Sequence, residues 1–145
     1  MLKITVAHLR DIRRHGEEAY PEESCGILAG TFDGDTRTVH STLRCKNATT
    51  NSPHTHYHID PRQVIRAQRD VRERNLEIIG FYHSHPDHPA RWSPIDLAEA
   101  HWIGCSYVIT AVESGRFTET SSFVLSGTVE EDKRFTREDL IVGPG

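Results

Sequence analysis

The sequence predicts a single α/β domain in which a mixed β-sheet is flanked by helices. The chain has 145 residues, which is enough for one hydrophobic core. Segments whose apolar residues recur at helical spacing alternate with short apolar or alternating segments that are typical of strands. No internal repeat or low-complexity block interrupts this order, and the alternation favours an α/β sandwich.

The first third of the chain is predicted to form a helix and a β-hairpin. Apolar side chains recur at helical spacing over residues 7–20, and Pro21 disfavours continuation of that helix. An apolar run over 25–32 and an alternating run over 36–45 flank a turn at 33–35. This arrangement is the pattern of a hairpin, because Gly and Asp residues favour the tight turn between two strands.

The middle of the chain is predicted to contain a loop, a helix and a central strand. Residues 46–55 have the composition of a loop, and residues 56–59 are expected to form a short strand. Asp60-Pro61 has the residue types that are favoured at a helix start, which predicts a helix over 60–75. The nearly continuous apolar run 76–83 then predicts a buried strand.

The last third begins with a second capped helix. Ser93-Pro94 predicts its start, and the helix is expected to continue to about Ile103 before Gly104 ends it. Two runs, 105–113 and 116–125, predict another hairpin.

The C-terminal end of the chain has no clear strand or helix pattern. It is charged from Ser126 onward and closes with Gly-Pro-Gly. We therefore expect a domain over residues 1–128 and a tail over 129–145 that is frayed and partly disordered.

Composition and charge exclude several classes of function. The net charge of −4 and the pI near 6.2 argue against a nucleic-acid-binding surface, which would need a basic patch. No apolar segment approaches the length of a membrane span, and the N-terminus lacks a signal-peptide layout. The three cysteines form no Cys-x-x-Cys pair, so we expect a soluble protein of the reducing cytoplasm. Proteins and small molecules are the classes of partner that composition does not exclude.

The apolar run 76–83 leads into a group of residues that could bind a metal ion. His83 and His85 are two residues apart, so both imidazoles would leave the same face of an extended strand. Asp96 offers a third ligand. Three protein ligands and one exchangeable water are typical of hydrolytic zinc sites.

Ser93 and Asp96 also match a helix capping box, with Pro94 at the favoured first position. This structural interpretation is the stronger one on local sequence alone. The two interpretations are compatible, because an aspartate in the first turn projects beyond the helix N-terminus toward a neighbouring strand end.

Other polar residues have weaker functional interpretations. The alternating histidines 54, 56 and 58 could form a second metal site, although solvated edge residues are favoured because no carboxylate or cysteine partner lies at a recognisable spacing. Cys25 is expected to be a packed thiol rather than a nucleophile, since no base is evident for it. His88 and Trp92 lie on the loop beside the predicted site and have no assigned role.

Two segments resemble a known family. His83-Ser84-His85, seven further residues and then Ser93-Pro94-Ile95-Asp96 match the His-x-His-x7-Ser-x2-Asp signature of the JAMM (MPN-plus) zinc metalloproteases. The upstream segment from Glu23 to Gly30 resembles the family's Glu-x-Cys-Gly-x-Leu-x-Gly segment. The resemblance covers roughly residues 3–125 and indicates a compact prokaryotic form. It implies the JAMM sandwich, which is a cytidine-deaminase-like fold.

The resemblance also implies a role for each site residue. His83, His85 and Asp96 would hold Zn²⁺, and Glu23 would be the general base that takes a proton from the attacking water. Ser93 would help to stabilise the tetrahedral oxyanion.

The implied activity is that of a zinc-dependent peptidase or isopeptidase. It would hydrolyse an amide after the C-terminal Gly-Gly of a ubiquitin-like sulfur-carrier protein, whose tail would add to a sheet edge such as residues 54–58. A rival interpretation is a catalytically silent MPN-type scaffold for protein interactions. A small-molecule hydrolase with the same metal site is a third, but the sequence pattern of the zinc deaminases is absent.

Overall fold

The computed structural model describes residues 1–145 as one eight-stranded sheet with three α-helices. The strands are β1 (Leu2–Thr5), β2 (Cys25–Asp33), β3 (Thr36–Cys45), β4 (Glu77–Pro86), β5 (Ser106–Glu113), β6 (Arg116–Ser126), β7 (Arg134–Glu138) and β8 (Leu140–Gly143). The helices are α1 (Val6–Ala19), α2 (Pro61–Glu73) and α3 (Pro94–Glu99), and a single 3₁₀ turn spans Glu130–Asp132.

The sheet is mixed and strongly curved. Its strand order is β7-β6-β5-β4-β2-β3-β1-β8, with parallel pairs at β4/β5, β1/β3 and β1/β8 and antiparallel pairs elsewhere. β7 and β8 lie at opposite edges of this order, yet only Asp139 separates them in the chain. The sheet must therefore curl until its two edges approach each other, as strand twist allows.

Glu138 lies where the two edges meet. Its carboxylate accepts hydrogen bonds from the hydroxyls of Ser106 at 2.6 Å and Ser122 at 2.7 Å. It also forms ion pairs with the Arg37 guanidinium at 3.2 Å and the N-terminal amine of Met1 at 3.0 Å. Four strands are thus joined by one buried carboxylate, which we call the closure cluster.

The helices cover the two faces of the sheet, and their starts follow local capping chemistry. The Thr5 hydroxyl accepts the amide of His8 to cap α1, and the Asp60 carboxylate accepts the amide of Arg62 to cap α2. Both caps satisfy amides that have no partner inside a helix. The prediction of a helix that starts at Asp60-Pro61 is confirmed.

The core is divided between the two faces of the sheet. Alternate residues of β2 and β4 point to opposite sides, so Ile27 and Phe81 pack on the α2 side while Leu28 and Tyr82 pack on the α1 side. β4 is buried from Ile78 to Pro86, which confirms the predicted central strand.

The second hairpin is also confirmed, with β5 and β6 joined by Ser114-Gly115. Both turn residues have positive φ, 51° and 87°. This is the geometry of a type I′ turn, whose second position favours glycine. The first predicted hairpin, β2 and β3, is present as well.

The predicted strand at residues 56–59 is wrong. These residues form no strand. One backbone bond holds them, from the N–H of Ala48 to the His58 carbonyl at 2.8 Å, and the side chain of Asn47 supplies two more. Its amide nitrogen donates to the carbonyl of His56 at 3.0 Å, and its amide oxygen accepts the backbone N–H of His58 at 3.1 Å.

The predicted length of the third helix is also wrong, because α3 ends at Glu99 rather than near Ile103. Lys133 explains the early end. Its ammonium donates to the carbonyls of Ala98 and Ala100 at 3.0 and 2.9 Å. A cation from the C-terminal segment therefore satisfies carbonyl groups that a longer helix would use.

The expectation of a frayed tail over 129–145 is wrong for residues 134–143. They form β7 and β8, which pair with β6 and β1 at the two edges of the sheet. β1 was not predicted either. No helix of the molecule combines the length and the apolar character that crossing a membrane would require.

Candidate functional site

The candidate site lies at the end of β4. His83 and His85 leave the same face of this strand, the face that also carries Phe81, and both imidazoles are buried. β4 lies between β2 and β5, and the register pairs Cys25 with His83. This pairing brings the residues just before β2 close to the two histidines.

The first turn of α3 supplies the carboxylate. Ser93 and Asp96 form the predicted capping box, in which the Ser93 hydroxyl accepts the Asp96 amide at 3.1 Å and Asp96 Oδ2 accepts the Ser93 amide at 2.9 Å. The same carboxylate faces both imidazoles, with Oδ1 at 3.3 Å from His83 Nε2 and Oδ2 at 3.0 Å from His85 Nε2. Asp96 therefore caps the helix and reaches the histidines at once.

His83, His85 and Asp96 could together hold a metal ion. Their donor atoms all lie within 4.8 Å of one another, and the two Nε2 atoms are 3.1 Å apart. The three residues are at most 7% exposed. Neutral imidazole and carboxylate groups that converge in this way are the donor set of a zinc or other transition-metal site.

The hydrogen bonding of His85 tests whether a cation fits. His85 Nδ1 is 2.9 Å from the carbonyl oxygen of Pro89. A carbonyl only accepts, so Nδ1 carries the proton and a neutral His85 presents a lone pair at Nε2. That lone pair faces Asp96 Oδ2, also an acceptor, at 3.0 Å. A cation between the two atoms would stabilise an arrangement that is otherwise unfavourable.

Glu23 reaches the same site from the segment before β2. Its side chain is 4% exposed, and its Oε1 atom has no hydrogen-bond partner. The backbone is held in place, since its N–H donates to the Pro53 carbonyl at 2.7 Å and its carbonyl accepts from Asn47 at 3.2 Å. Glu23, His85 and Ser93 line one cavity of about 620 Å³.

The pKa values of the two carboxyl groups in the site, Glu23 and Asp96, are shifted in opposite directions. Burial, with smaller contributions from the charges of Asp96 and Glu99, raises the pKa of Glu23 to about 9. Burial also favours the neutral form of Asp96, but the imidazoles of His83 and His85 outweigh it and hold the pKa of Asp96 well below its usual range. Burial lowers the pKa of His83, which favours the neutral imidazole that a metal ion requires.

The other residues that the sequence singled out are not among the converging metal ligands. His54, His56 and His58 lie in a loop and form no second group of converging ligands. Burial raises the pKa of the Cys25 thiol to about 12, which agrees with a packed thiol. His88 and Trp92 line the cavity beside Ser93.

Three contributors to the site were missed from the sequence. Tyr57 stacks on the His83 ring at 4.4 Å between centroids, the Pro89 carbonyl orients His85, and Arg137 of β7 lines the cavity. Tyr57 stands between two of the alternating histidines, so an aromatic residue in that loop was the available signal. No local signal marked Pro89 or Arg137.

A family model agrees with the motif and the geometry. The model described as prokaryotic homologs of the JAB domain matches residues 5–125. The chain belongs to this family. The resemblance to the JAMM group is therefore confirmed, and the peptidase names of the curated relatives support a JAMM-type hydrolase.

Three curated relatives of this JAB-domain chain carry informative names. The desampylase of Haloferax volcanii is 35% identical over 98 residues, which is 68% of each chain. A probable TtuB-protein conjugate cleaving protease of Thermus thermophilus is 33% identical over 108 residues, 74% of this chain and 68% of that protein. The CysO-cysteine peptidase of Mycobacterium tuberculosis is 28% identical over 119 residues, 81% of this chain and 79% of that protein.

A solved structure supports the fold along the whole chain. The solution structure of a protein from Desulfitobacterium hafniense matches with a TM-score of 0.85 and 31% identity, and the match covers 100% of this chain and 94% of that one. The predicted fold class, a mixed sheet flanked by helices in a JAMM sandwich, is confirmed.

Proposed function

We propose that this JAB-domain chain is a zinc-dependent peptidase that hydrolyses the amide after the C-terminal Gly-Gly of a ubiquitin-like sulfur-carrier protein. One observation carries the proposal, namely that buried His83, His85 and Asp96 converge beside a cavity shared by Glu23 and Ser93. The names of two relatives, which refer to a TtuB conjugate and to CysO-cysteine, support the substrate class. The reducing cytoplasm remains the predicted compartment.

His83, His85 and Asp96 would hold the Zn²⁺ ion. The orientation of His85 by the Pro89 carbonyl and of Asp96 by the Ser93 amide supports this assignment, because such contacts fix ligands in metal sites. Bound there, Zn²⁺ would supply a Lewis acid that activates water and polarises the carbonyl of the scissile amide.

Glu23 acts as the proton carrier of the reaction. Its unpartnered Oε1 atom takes a proton from the attacking water and delivers it to the leaving amine. The raised pKa of Glu23 suits the delivery step, while a cation held by the nearby trio would lower that pKa toward neutrality and favour the uptake step. A carboxyl that was fully ionised at all times could not serve both steps.

Ser93 is placed to stabilise the oxyanion. Its hydroxyl oxygen already accepts the Asp96 amide, so its own hydrogen remains free to donate. The side chain lines the cavity next to His85. Donation to the tetrahedral oxyanion would therefore add to the capping role rather than replace it.

The Gly-Gly tail suits the shape of the site. Glycine residues have no side chain beyond Cα, which allows the scissile amide to approach buried ligands closely. Residues 54–58, which the sequence suggested as a docking edge, form a loop and offer no strand edge. We therefore assign no sheet edge to the tail.

The decisive experiment measures zinc stoichiometry and cleavage of a carrier protein extended beyond its Gly-Gly end. We expect one zinc per chain and cleavage by the wild type. Glu23→Gln should retain zinc and lose about 10²- to 10⁴-fold in turnover. Glu22→Gln is the matched control, because Glu22 is the exposed neighbour and its side chain makes no hydrogen bond. A metal-free and inactive wild type would instead favour the scaffold.

A further inference from the structure

The cavity beside the site contains two arginines without partners. Arg91 and Arg137 line it together with Glu23, His85 and Ser93. Every ion pair in the molecule involves other residues, and neither guanidinium donates a hydrogen bond. Both arginines are exposed, so their two unpaired positive charges are accessible to a ligand that enters the cavity.

The fold directs both arginines to this place. Arg137 pairs with Phe123 in the β6/β7 register, and Phe123 also lines the cavity. Because side chains alternate along a strand, Arg137 faces the cavity while its neighbour Glu138 joins the closure cluster. Arg91 stands in the loop between β4 and α3, two residues before Ser93.

No carboxylate in the cavity neutralises the two guanidiniums. Glu23 is the only acidic residue in the lining, and neither guanidinium forms an ion pair or a hydrogen bond with its carboxyl group. The carboxylate of Glu119, which lies near the same loop, instead accepts the backbone amide of Ala90 at 3.0 Å. The cavity is therefore a positively charged space that opens next to the reacting groups.

Guanidinium groups of this kind favour a carboxylate ligand, which they bind through paired hydrogen bonds. The Gly-Gly tail cannot provide one, because its terminal carboxyl group is part of the scissile amide. A single amino acid on the amine side carries an α-carboxylate one carbon away from the scissile nitrogen. A lysine side chain in an isopeptide carries none near that nitrogen.

We propose that Arg91 and Arg137 bind the α-carboxylate of the leaving group, so that the preferred substrate is a carrier whose Gly-Gly end is joined to one amino acid. This inference rests on the proposed function. Hydrolysis breaks the C–N bond, adds the water oxygen to the glycine carbonyl carbon and releases the amino acid as a free amine with its carboxylate intact.

The test compares two substrates that differ in one group. One is a carrier protein extended after Gly-Gly by a single alanine as the free acid, and the other is the same protein with an alanine carboxamide. The zinc-loaded wild type should have a kcat/KM about 10- to 100-fold higher on the free acid, mainly through KM. A third substrate, a carrier joined to a lysine side chain, should resemble the carboxamide.

Arg91→Ala and Arg137→Ala should each lower kcat/KM about 10-fold on the free acid and leave the carboxamide unchanged within about twofold. Arg14→Ala is the matched control, since Arg14 is exposed on α1 and lines no part of this cavity. Thermal unfolding and zinc content verify that each variant is folded and loaded.

Two results would overturn the inference in different ways. Equal cleavage of the free acid and the carboxamide, with equal losses in the arginine variants, would refute the carboxylate role and leave the proposed function intact. Absence of cleavage of every substrate by the zinc-loaded wild type would refute the proposed function and the inference with it.

Discussion

The molecule contains two buried polar clusters, and they differ in how completely their groups are satisfied. In the closure cluster, Glu138 has four partners, from three other strands and the N-terminus, and neither of its carboxylate oxygens lacks a hydrogen bond. In the candidate site, Glu23 Oε1 and His83 Nδ1 are buried without a partner. An unsatisfied buried polar atom costs about 1–3 kcal/mol.

The pKa values show the same difference. Burial opposes ionisation of Glu138, but the hydroxyls of Ser106 and Ser122 and the charges nearby lower the pKa of Glu138 below its usual value. Glu23 has no such donors, and burial raises the pKa of Glu23 to about 9. A buried carboxylate with a full set of donors stabilises the fold, whereas one without donors remains available for chemistry.

The largest effect should come from removing a ligand at the unsatisfied cluster. His85→Ala should abolish zinc binding and detectable turnover while the protein remains folded, because the hydrophobic core does not depend on the ion. Zinc analysis and circular dichroism check this, with His40→Ala on the exposed side of β3 as control. If His85→Ala unfolded completely, the candidate site would be required for stability, as the closure cluster is, and the two clusters would no longer differ in role.

A substitution in the closure cluster should instead lower the stability of the fold. Glu138→Ala leaves the Arg37 guanidinium buried without its partner and should lower the free energy of unfolding by about 3–5 kcal/mol. Urea denaturation measures the change, and Glu131→Ala at an exposed position without hydrogen bonds should have little effect. A loss below about 1 kcal/mol would mean that this cluster is dispensable for stability.

Ser93 contributes both to stability, as a helix cap, and to turnover, as a donor to the oxyanion. Its removal should cost less turnover than His85→Ala and less stability than Glu138→Ala. Ser93→Ala should lose about 10²- to 10³-fold in turnover through the oxyanion and about 1 kcal/mol of stability through the helix cap. Ser93→Thr keeps a hydroxyl and should recover most of the stability. Reduced stability with unchanged turnover would assign Ser93 to capping alone.

Chelation should change how the stability of the protein depends on pH. Folding raises the pKa of Glu23 from 4.5 to about 9, so the folded metal-free protein keeps a proton that the unfolded chain loses above pH 4.5. The stability contributed by that proton therefore falls as pH rises through this window. Relative to Glu23→Gln, the metal-free wild type should lose about 3 kcal/mol between pH 6 and pH 8.

Denaturation in chelator at several pH values measures this difference, and Glu22→Gln should follow the wild type. Parallel pH profiles for the wild type and Glu23→Gln would show that Glu23 is as well solvated as an ordinary surface carboxylate.

Features that depend on neighbours in the chain were predictable. The start of α2 at Asp60-Pro61 and the hairpin turn at Ser114-Gly115 follow from the backbone preferences of those residues. The convergence of His83 and His85 follows from their two-residue spacing on a strand. Glu23 required the family resemblance, because nothing local distinguishes it from Glu22. The division of the chain at residue 128 stays a prediction.

By itself, the sequence determined the starts of the second and third helices, the two hairpins, the buried central strand and the candidate metal ligands His83, His85 and Asp96, since short-range patterns encode each of them. Only the tertiary structure decided that residues 134–143 form two edge strands, that the Asn47 side chain holds residues 56–58, and that Arg137 reaches the cavity. These features depend on contacts between segments far apart in the chain, whose partners become available only after the sheet has curled and brought its two edges together.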